Sequence, residues 1–159
     1  MKKTNAVRII ESNTLYYNIV EYDPNLKVDG VQIAKAANLP VEKVFKTLVS
    51  QGKSKEYYVF VIPVEMELDL KKGAQAVGEK SIAMLHLNEL YPLTGYIRGG
   101  VSPIGMKRKF KTIIDLRGKD LDTIYVSAGQ KGLQVQLNPL DLADLVEAEF
   151  TDIVKGGHQ

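Results

Sequence analysis

The spacing of hydrophobic and polar residues changes repeatedly along the chain and predicts short helices mixed with strands. Shorter helical turns are predicted at 41–44, directly after Pro40, and at 86–91, where Pro92 should end the helix. Elsewhere, apolar residues recur at the three-to-four-residue spacing of an amphipathic helix. This spacing predicts longer helices over 4–11, 31–37, 69–77 and 139–146.

Runs of β-branched and aromatic residues predict the strands of the protein. The runs at 45–51 and 57–63 flank a polar connection, as in an antiparallel hairpin. The last run alternates strictly, with Leu133 on one face and Gln134 and Gln136 on the other. The predicted strands are 15–22, 45–51, 57–63, 81–84, 110–115, 123–127 and 133–137.

These elements predict an α+β fold in which the whole chain, 1–159, forms a single domain. We expect a twisted, mostly antiparallel or mixed, barrel-like sheet of about six or seven strands, surrounded by short helices. The composition, 45% hydrophobic and 25% charged, is typical of a soluble globular protein. No secretory signal or membrane span is evident, so the prediction is a cytoplasmic protein.

The chain contains no cysteine, which excludes a disulfide framework, a thiolate nucleophile and a thiolate metal site. Its two histidines, His86 and His158, do not suggest a metal-binding pair, and a Ser-His-Asp triad would have to use His86 in an ordinary helical turn. Neither a P-loop nor a Rossmann fingerprint is present. If the protein is an enzyme, its catalysis must therefore rest on positioning and on backbone dipoles.

The stretch 94–106, TGYIRGGVSPIGM, contains four glycines and is too glycine-rich for a central strand or a helix. It is either a surface connection or a cradle whose backbone N–H groups face an anionic or carbonyl oxygen. The basic run Lys107, Arg108 and Lys109 follows it directly. That run either meets nucleic-acid phosphates or forms a solvated turn.

Lys46 lies inside the predicted strand 45–51, with Val44 and Leu48 on the same face. Burial of an unpaired ammonium is costly, so a lysine inside a strand usually faces solvent on an edge strand. The alternative is a cation at the mouth of a pocket, aimed at a phosphate or a developing oxyanion. The pattern alone leaves both interpretations open.

Several segments together resemble the YbaK/EbsC family of aminoacyl-tRNA editing proteins, which is related to the editing domain of bacterial prolyl-tRNA synthetases. The resemblance covers almost the whole chain and implies a trans-acting deacylase of misacylated tRNA(Pro), most typically Cys-tRNA(Pro). It implies no cofactor and no metal, and it leaves open a contact with prolyl-tRNA synthetase. The segments that carry it are KTNAVRII, Tyr22-Asp23-Pro24, VFKTLV, IPVEMELDLKKGAQAVG, LTGYIRGGVSPIGMKRK and TIYVSAGQKGLQVQL.

The resemblance also implies roles for individual residues. Lys46 matches the family's catalytic lysine, which either holds the phosphate of the terminal adenosine or orients the ester. Gly99 and Gly100 match a loop that places main-chain amides near the scissile ester. Cleavage is implied to be substrate-assisted, with the cysteinyl thiol attacking its own ester carbonyl to give a thiolactone. The further residues implied to bind substrate are Tyr22, Thr47, Ser102 and Ser127, and those implied to bind tRNA are Lys107, Arg108 and Lys109.

Gln134 departs from the family pattern, because the cysteine-specific members used for comparison carry an aspartate at this position. A neutral amide cannot pair with the substrate ammonium as a carboxylate would. Specificity for Ala-tRNA(Pro), or a broader specificity, therefore stays open. Two further alternatives are a binding module for aminoacyl-tRNA or a synthetase that hydrolyses nothing, and an EbsC-like regulator of cell-surface expression.

Overall fold

Four of the five helices in the described part of the chain begin where a polar side chain accepts a hydrogen bond from an N–H group of the first turn, whereas the side chain of His86, before the fourth helix, accepts none. In the computed structural model, which describes residues 3–26 and 29–156, these capping residues are Thr4, Asp29, Asp69 and Asn138. His158 lies outside the described residues. The helices are α1 (Asn5–Ser12), α2 (Gly30–Ala36), α3 (Leu70–Val77), α4 (Leu87–Thr94) and α5 (Pro139–Val146).

Helix α4 continues past Pro92, so the prediction that proline ends this helix was wrong. Proline removes a single backbone donor from the helix, and the turn that follows is held by other hydrogen bonds. The Thr94 hydroxyl donates to the Leu90 carbonyl at 2.8 Å, and the Gly95 N–H donates to the Tyr91 carbonyl at 2.8 Å. The helix ends at Gly95, whose φ of 85° is comfortable for glycine.

The strands form two sheets, and the α+β class is confirmed. One sheet has the order β1-β7-β6 and the other β4-β2-β3-β5-β8. The described residues form eight strands rather than six or seven, and the two sheets do not close into a single barrel. The strands are β1 (Asn18–Glu21), β2 (Phe45–Gly52), β3 (Tyr57–Pro63), β4 (Ile82–Met84), β5 (Lys111–Asp115), β6 (Ile124–Gln130), β7 (Leu133–Leu137) and β8 (Glu149–Thr151).

The pairing of the strands is mixed. Strands β2 and β3 form the predicted antiparallel hairpin, with Lys46 opposite Ile62. Strand β5 pairs with β3 in parallel, because the chain between them passes through α3, β4, α4 and the glycine-rich stretch. Strand β8 was not predicted; it is only three residues long and pairs in parallel with β5 alone.

The main core lies where the two sheets face each other. Phe45, Val49 and Val61 of one sheet share it with Val126 and Val135 of the other. Helix α1 covers one side of this core, and a second core under α3 occupies the opposite face of the larger sheet. No helix within the described ranges has the length and apolar character needed to cross a membrane.

The arrangement of the sheets leaves one edge of β2 partly open. Strand β4 pairs with β2 only at Ser50, Gln51 and Gly52. Directly before β2, Val44 forms an isolated bridge to Tyr125 of the smaller sheet. A cavity lies along the part of β2 between these two contacts.

Candidate active site

A cavity of about 700 Å³ lies between the open edge of β2, the smaller sheet and the glycine-rich stretch. Helix α2 and the start of α4 complete its walls. Six of the residues predicted from the sequence line it, although they come from five separate parts of the chain. These residues are Tyr22, Lys46, Thr47, Gly99, Ser127 and Gln134.

Lys46 lies half-buried in this cavity. Burial lowers the pKa of its ammonium below the ordinary value of 10.5, while the carboxylates of Glu67 and Asp29 act in the opposite direction. Within the described part of the chain, Lys46 makes no ion pair. It is therefore a partly desolvated cation that an anionic group of a ligand can approach.

Two buried polar atoms of the cavity wall lack hydrogen-bond partners among the described residues. They are Oγ1 of Thr47 and Oε1 of Gln134, and the Gln134 side chain belongs to a residue that is only 7% exposed. Ser127 lies directly opposite Gln134 in the β6–β7 pair, and its hydroxyl accepts from the Gly129 N–H at 3.2 Å. Because buried polar atoms are nearly always paired, these two atoms are suited to the donors of a ligand.

The glycine-rich stretch forms a loop that is closed by its own hydrogen bonds. The Lys107 N–H donates to the Thr94 carbonyl at 3.0 Å and joins the two ends of the loop. Inside it, the Tyr96 hydroxyl donates to the Ile104 carbonyl. The loop is thereby held in one shape against the smaller sheet.

Within this loop, Gly99 lines the cavity, whereas Gly100 and Ser102 are buried and do not line it. The Gly99 N–H has no acceptor within the described ranges, and its φ is 88°. The Gly100 N–H donates to the Ile97 carbonyl at 2.9 Å, and the Ser102 hydroxyl accepts from the Ile104 N–H at 3.2 Å. A Cβ at position 100 would lie 2.9 Å from the Gln130 Cα, so only glycine fits there.

The basic run after the loop lies outside the cavity and is exposed. Lys107 Nζ lies 5.1 Å from the centre of the Tyr91 ring, and Lys109 forms an ion pair with Glu147. Arg108 lies over the Phe110 ring at 5.1 Å, and also near a second ring. The role of these three residues in tRNA binding stays a prediction.

The sequence reasoning did not assign two charged residues that line the cavity, Asp29 and Arg98. Asp29 is the capping residue of α2 and accepts from the Gln32 N–H at 3.0 Å. Arg98 is exposed and directly precedes Gly99. It is the one arginine of the glycine-rich stretch, and this position in the sequence was the signal that could have identified it as a cavity residue. Within residues 3–26 and 29–156, no three His, Asp or Glu side chains are grouped to hold a metal ion.

Comparison with known proteins places relatives of this chain in tRNA editing. The family model described as "Aminoacyl-tRNA editing domain" matches residues 28–145. The chain is 42% identical over 157 residues to a protein of Enterococcus faecalis (strain ATCC 700802 / V583) named "Putative Cys-tRNA(Pro)/Cys-tRNA(Cys) deacylase EbsC". That match covers 96% of this chain and 93% of the relative.

A second relative and a solved structure extend the comparison. The chain is 27% identical over 133 residues to a proline–tRNA ligase of Thermosipho africanus (strain TCF52B), a match that covers 84% of this chain but only 23% of the ligase. A crystal structure described as "a putative trans-editing enzyme for prolyl tRNA synthetase" superposes with a TM-score of 0.82 at 22% identity. It covers 98% of this chain and 100% of that one, and it shows that the two share a fold.

Proposed function

Because the chain belongs to the aminoacyl-tRNA editing domain family, we propose that it deacylates misacylated tRNA(Pro) in trans, with Cys-tRNA(Pro) as its principal substrate. The observation that carries this proposal is the convergence of Lys46 and Gly99 on one cavity. Lys46 is a cation without an ion-pair partner in the described chain, and the Gly99 N–H lacks an acceptor there. These are the donors that an ester carbonyl needs as negative charge develops on its oxygen.

The proposed reaction uses the substrate's own thiol as the nucleophile. The cysteinyl sulfur attacks its ester carbonyl carbon, so a C–S bond forms and the C–O bond to the ribose breaks. The proton of the thiol ends on the ribose oxygen, which leaves a thiolactone and free tRNA. The protein contributes position and charge: the Lys46 ammonium and the Gly99 N–H stabilise the oxyanion. The alternative role for Lys46 is to hold the phosphate of the terminal adenosine.

The amino group of the substrate has two acceptors in the proposed complex. Oε1 of Gln134 and Oγ1 of Thr47 are buried, unpartnered and part of the same cavity wall. Both are neutral, so each bond to an ammonium is weaker than a bond from a carboxylate. Ala-tRNA(Pro) is therefore the second candidate substrate, because selection at this wall rests on fit more than on charge.

The test is deacylation of Cys-tRNA(Pro), Ala-tRNA(Pro) and Pro-tRNA(Pro) by the purified protein and its Lys46→Met variant. We expect the wild type to hydrolyse the first fastest and the last negligibly, and Lys46→Met to lose about a hundredfold or more in rate. Lys43→Met is the matched control, because Lys43 is two residues before β2 and pairs with Asp122 at 2.7 Å instead of lining the cavity. If the folded wild type leaves all three esters intact, the chain is a binding module or a regulator rather than a deacylase.

The thiol step has a separate test. Cysteinyl-tRNA(Pro) whose sulfur has been methylated keeps its ester and gains only one methyl group, but it loses the thiol nucleophile. We expect it to resist hydrolysis while the unmodified substrate is cleaved and a thiolactone is trapped. Equal rates for the two substrates would show that water, not sulfur, attacks the ester.

We also propose that prolyl-tRNA synthetase helps to select tRNA(Pro), in the cytoplasm where aminoacyl-tRNA is made. The cavity accommodates the aminoacyl end of a tRNA and gives no access to its anticodon. Added synthetase should therefore sharpen the preference for tRNA(Pro) over other tRNAs that carry the same amino acid. An unchanged preference would argue against this partner.

A further inference from the structure

A second groove opens directly beside the candidate active site. It has a volume of about 400 Å³ and lies between the β2–β3 turn, β4 and the start of α4. Met84 and Leu85 line both this groove and the active-site cavity, so the two spaces adjoin. We call it the lysine groove, after its lining residues Lys53 and Lys55.

The two lysines are exposed and available to a ligand. Neither forms an ion pair with any described residue. The nearby Glu79 carboxylate is occupied, because the hydroxyls of Ser54 and Tyr58 both donate to it. Glu89 supplies one carboxylate to the groove lining, so the two ammonium groups of Lys53 and Lys55 leave an excess of one positive charge.

Lys55 adopts a backbone conformation that is unusual for lysine. Its φ is 79°, in the left-handed region that glycine and asparagine occupy with less strain. The main chain of the turn is held by bonds from the Lys55 N–H to the Gly52 carbonyl and from the Lys53 N–H to the Ser81 carbonyl. Neither bond needs a lysine side chain. The Lys55 side chain forms no ion pair within the described chain, so its ammonium is available to an anionic ligand.

We propose that the lysine groove holds the single-stranded 3′ segment of the RNA whose terminal nucleotide enters the active-site cavity, an inference that rests on the proposed function. An aminoacyl ester is at the end of its strand, so the preceding nucleotides must leave the cavity over an adjoining surface. Lys53 and Lys55 meet their phosphates. Met84 and Leu87, exposed by 43% and 61%, give the bases and sugars an apolar surface at the junction.

Binding of two RNA hairpins tests this inference without any catalytic step. Both hairpins copy an acceptor stem, but only one carries a single-stranded 3′ tail. We expect the wild type to prefer the tailed hairpin in a fluorescence anisotropy titration. The double variant Lys53→Gln/Lys55→Gln should lose about tenfold in affinity for it, and the slope of log K against log salt should fall by about two.

The matched control is Lys71→Gln/Lys119→Gln, which removes the same charge from two exposed lysines that line neither cavity. It should bind the tailed hairpin like the wild type. An equal loss of affinity in both double variants would show that the effect comes from net charge alone, and it would contradict the proposed role of the groove. Equal binding of tailed and blunt hairpins by the wild type would also overturn it, whether or not the protein deacylates tRNA.

Kinetics distinguish a failure of the groove from a failure of the proposed function. The groove variant should raise KM for aminoacyl-tRNA about tenfold with little change in kcat, and it should hydrolyse aminoacyl-adenosine like the wild type. If the groove variant also cleaved aminoacyl-adenosine more slowly, the substitutions would have disturbed the active-site cavity, and this result would contradict the inference. If the wild type cleaves neither substrate, the proposed function is wrong. The hairpin titration then still shows whether the lysine groove binds a single-stranded 3′ tail.

Discussion

Gln134 shows how a single position combines a structural cost with a proposed function. It follows Leu133 in a strictly alternating strand, so its side chain points away from the main core, yet it is only 7% exposed. Its Oε1 has no partner among the described residues. Such an atom lowers stability, because burial removes its bonds to water without replacing them. The proposed gain is a hydrogen bond to the substrate.

The variant Gln134→Leu separates these two effects. We expect the free energy of unfolding to stay equal or to rise by about 1 kcal/mol, because an unpaired polar atom leaves the interior. Deacylation should fall at the same time, mainly through a higher KM, since the amino group of the substrate loses an acceptor. Urea unfolding and steady-state kinetics measure the two changes.

Gln136→Leu is the matched control on the same face of β7. Gln136 accepts from the Asn18 amide at 3.3 Å and donates to the Thr123 hydroxyl at 2.9 Å, and it does not line the cavity. Its replacement should lower stability and leave KM unchanged. A parallel loss of stability and activity in both variants would mean that Gln134 is structural only.

At the scale of elements, the glycine-rich loop depends on one buried tyrosine. The hydroxyl of Tyr96 donates to the Ile104 carbonyl, and burial raises the pKa of Tyr96 from 10.0 to about 12. The bond fastens the middle of the loop to its far end, while Gly99 faces the cavity between them. The position of the proposed oxyanion donor is therefore set by a contact that itself lies outside the cavity lining.

Tyr96→Phe should cost about 1–2 kcal/mol in stability at pH 8, because the buried Ile104 carbonyl loses its donor. The difference between wild type and variant should narrow as the pH rises from about 10 to 12. Folding favours the neutral form of the Tyr96 phenol over the ionised form. The stabilisation that the hydroxyl provides is therefore complete below the pKa of Tyr96 in the unfolded chain, and it is lost as the pH rises through the higher pKa of the folded protein. Urea unfolding at several pH values measures it.

Tyr16→Phe serves as the control, since Tyr16 is 94% exposed. Its replacement should leave the stability at pH 8 unchanged. A constant difference between Tyr96→Phe and the wild type across this range would show that the hydroxyl of Tyr96 is not held in the buried bond.

At the scale of the whole molecule, a chain of charges fixes the C-terminal segment to the larger sheet. Asp115 is fully buried and accepts from the Ile153 N–H at 3.1 Å and from Arg117 at 3.0 Å. Arg117 also pairs with Asp152, which pairs in turn with Lys72 of α3. Burial alone would raise the pKa of Asp152, but the hydrogen bonds from Lys72 and Arg117 outweigh it and lower that pKa below 3.8.

Asp115→Asn should destabilise the protein by about 2–4 kcal/mol, because it removes a buried carboxylate that accepts from the Arg117 guanidinium and from the N–H groups of Arg117 and Ile153. The activity of the remaining folded protein should be unchanged, since this network lines neither cavity. Asp122→Asn removes an exposed ion pair to Lys43 and should cost less than about 1 kcal/mol. Equal destabilisation by the two substitutions would contradict the proposed importance of the network.

The sequence by itself determined most of the elements and the family, because both depend on local patterns of residues. Helical spacing and capping residues set most helix bounds within a residue or two, and the β2–β3 hairpin followed from two apolar runs around a polar turn. The α+β class followed from the same patterns. The segments around Lys46 and the glycine-rich stretch carried the resemblance that the comparisons then supported.

Only the tertiary structure decided which of the predicted residues share a cavity. Whether an N–H is free to bind a ligand depends on the acceptors that surround it in the folded chain. No local pattern therefore distinguishes Gly99 from Gly100, whose N–H donates to the Ile97 carbonyl. The burial of Gln134 depends on what covers the outer face of its strand. The parallel strand β8 and the groove beside the cavity depend on segments distant in sequence, and long-range packing is the information that a one-dimensional pattern lacks.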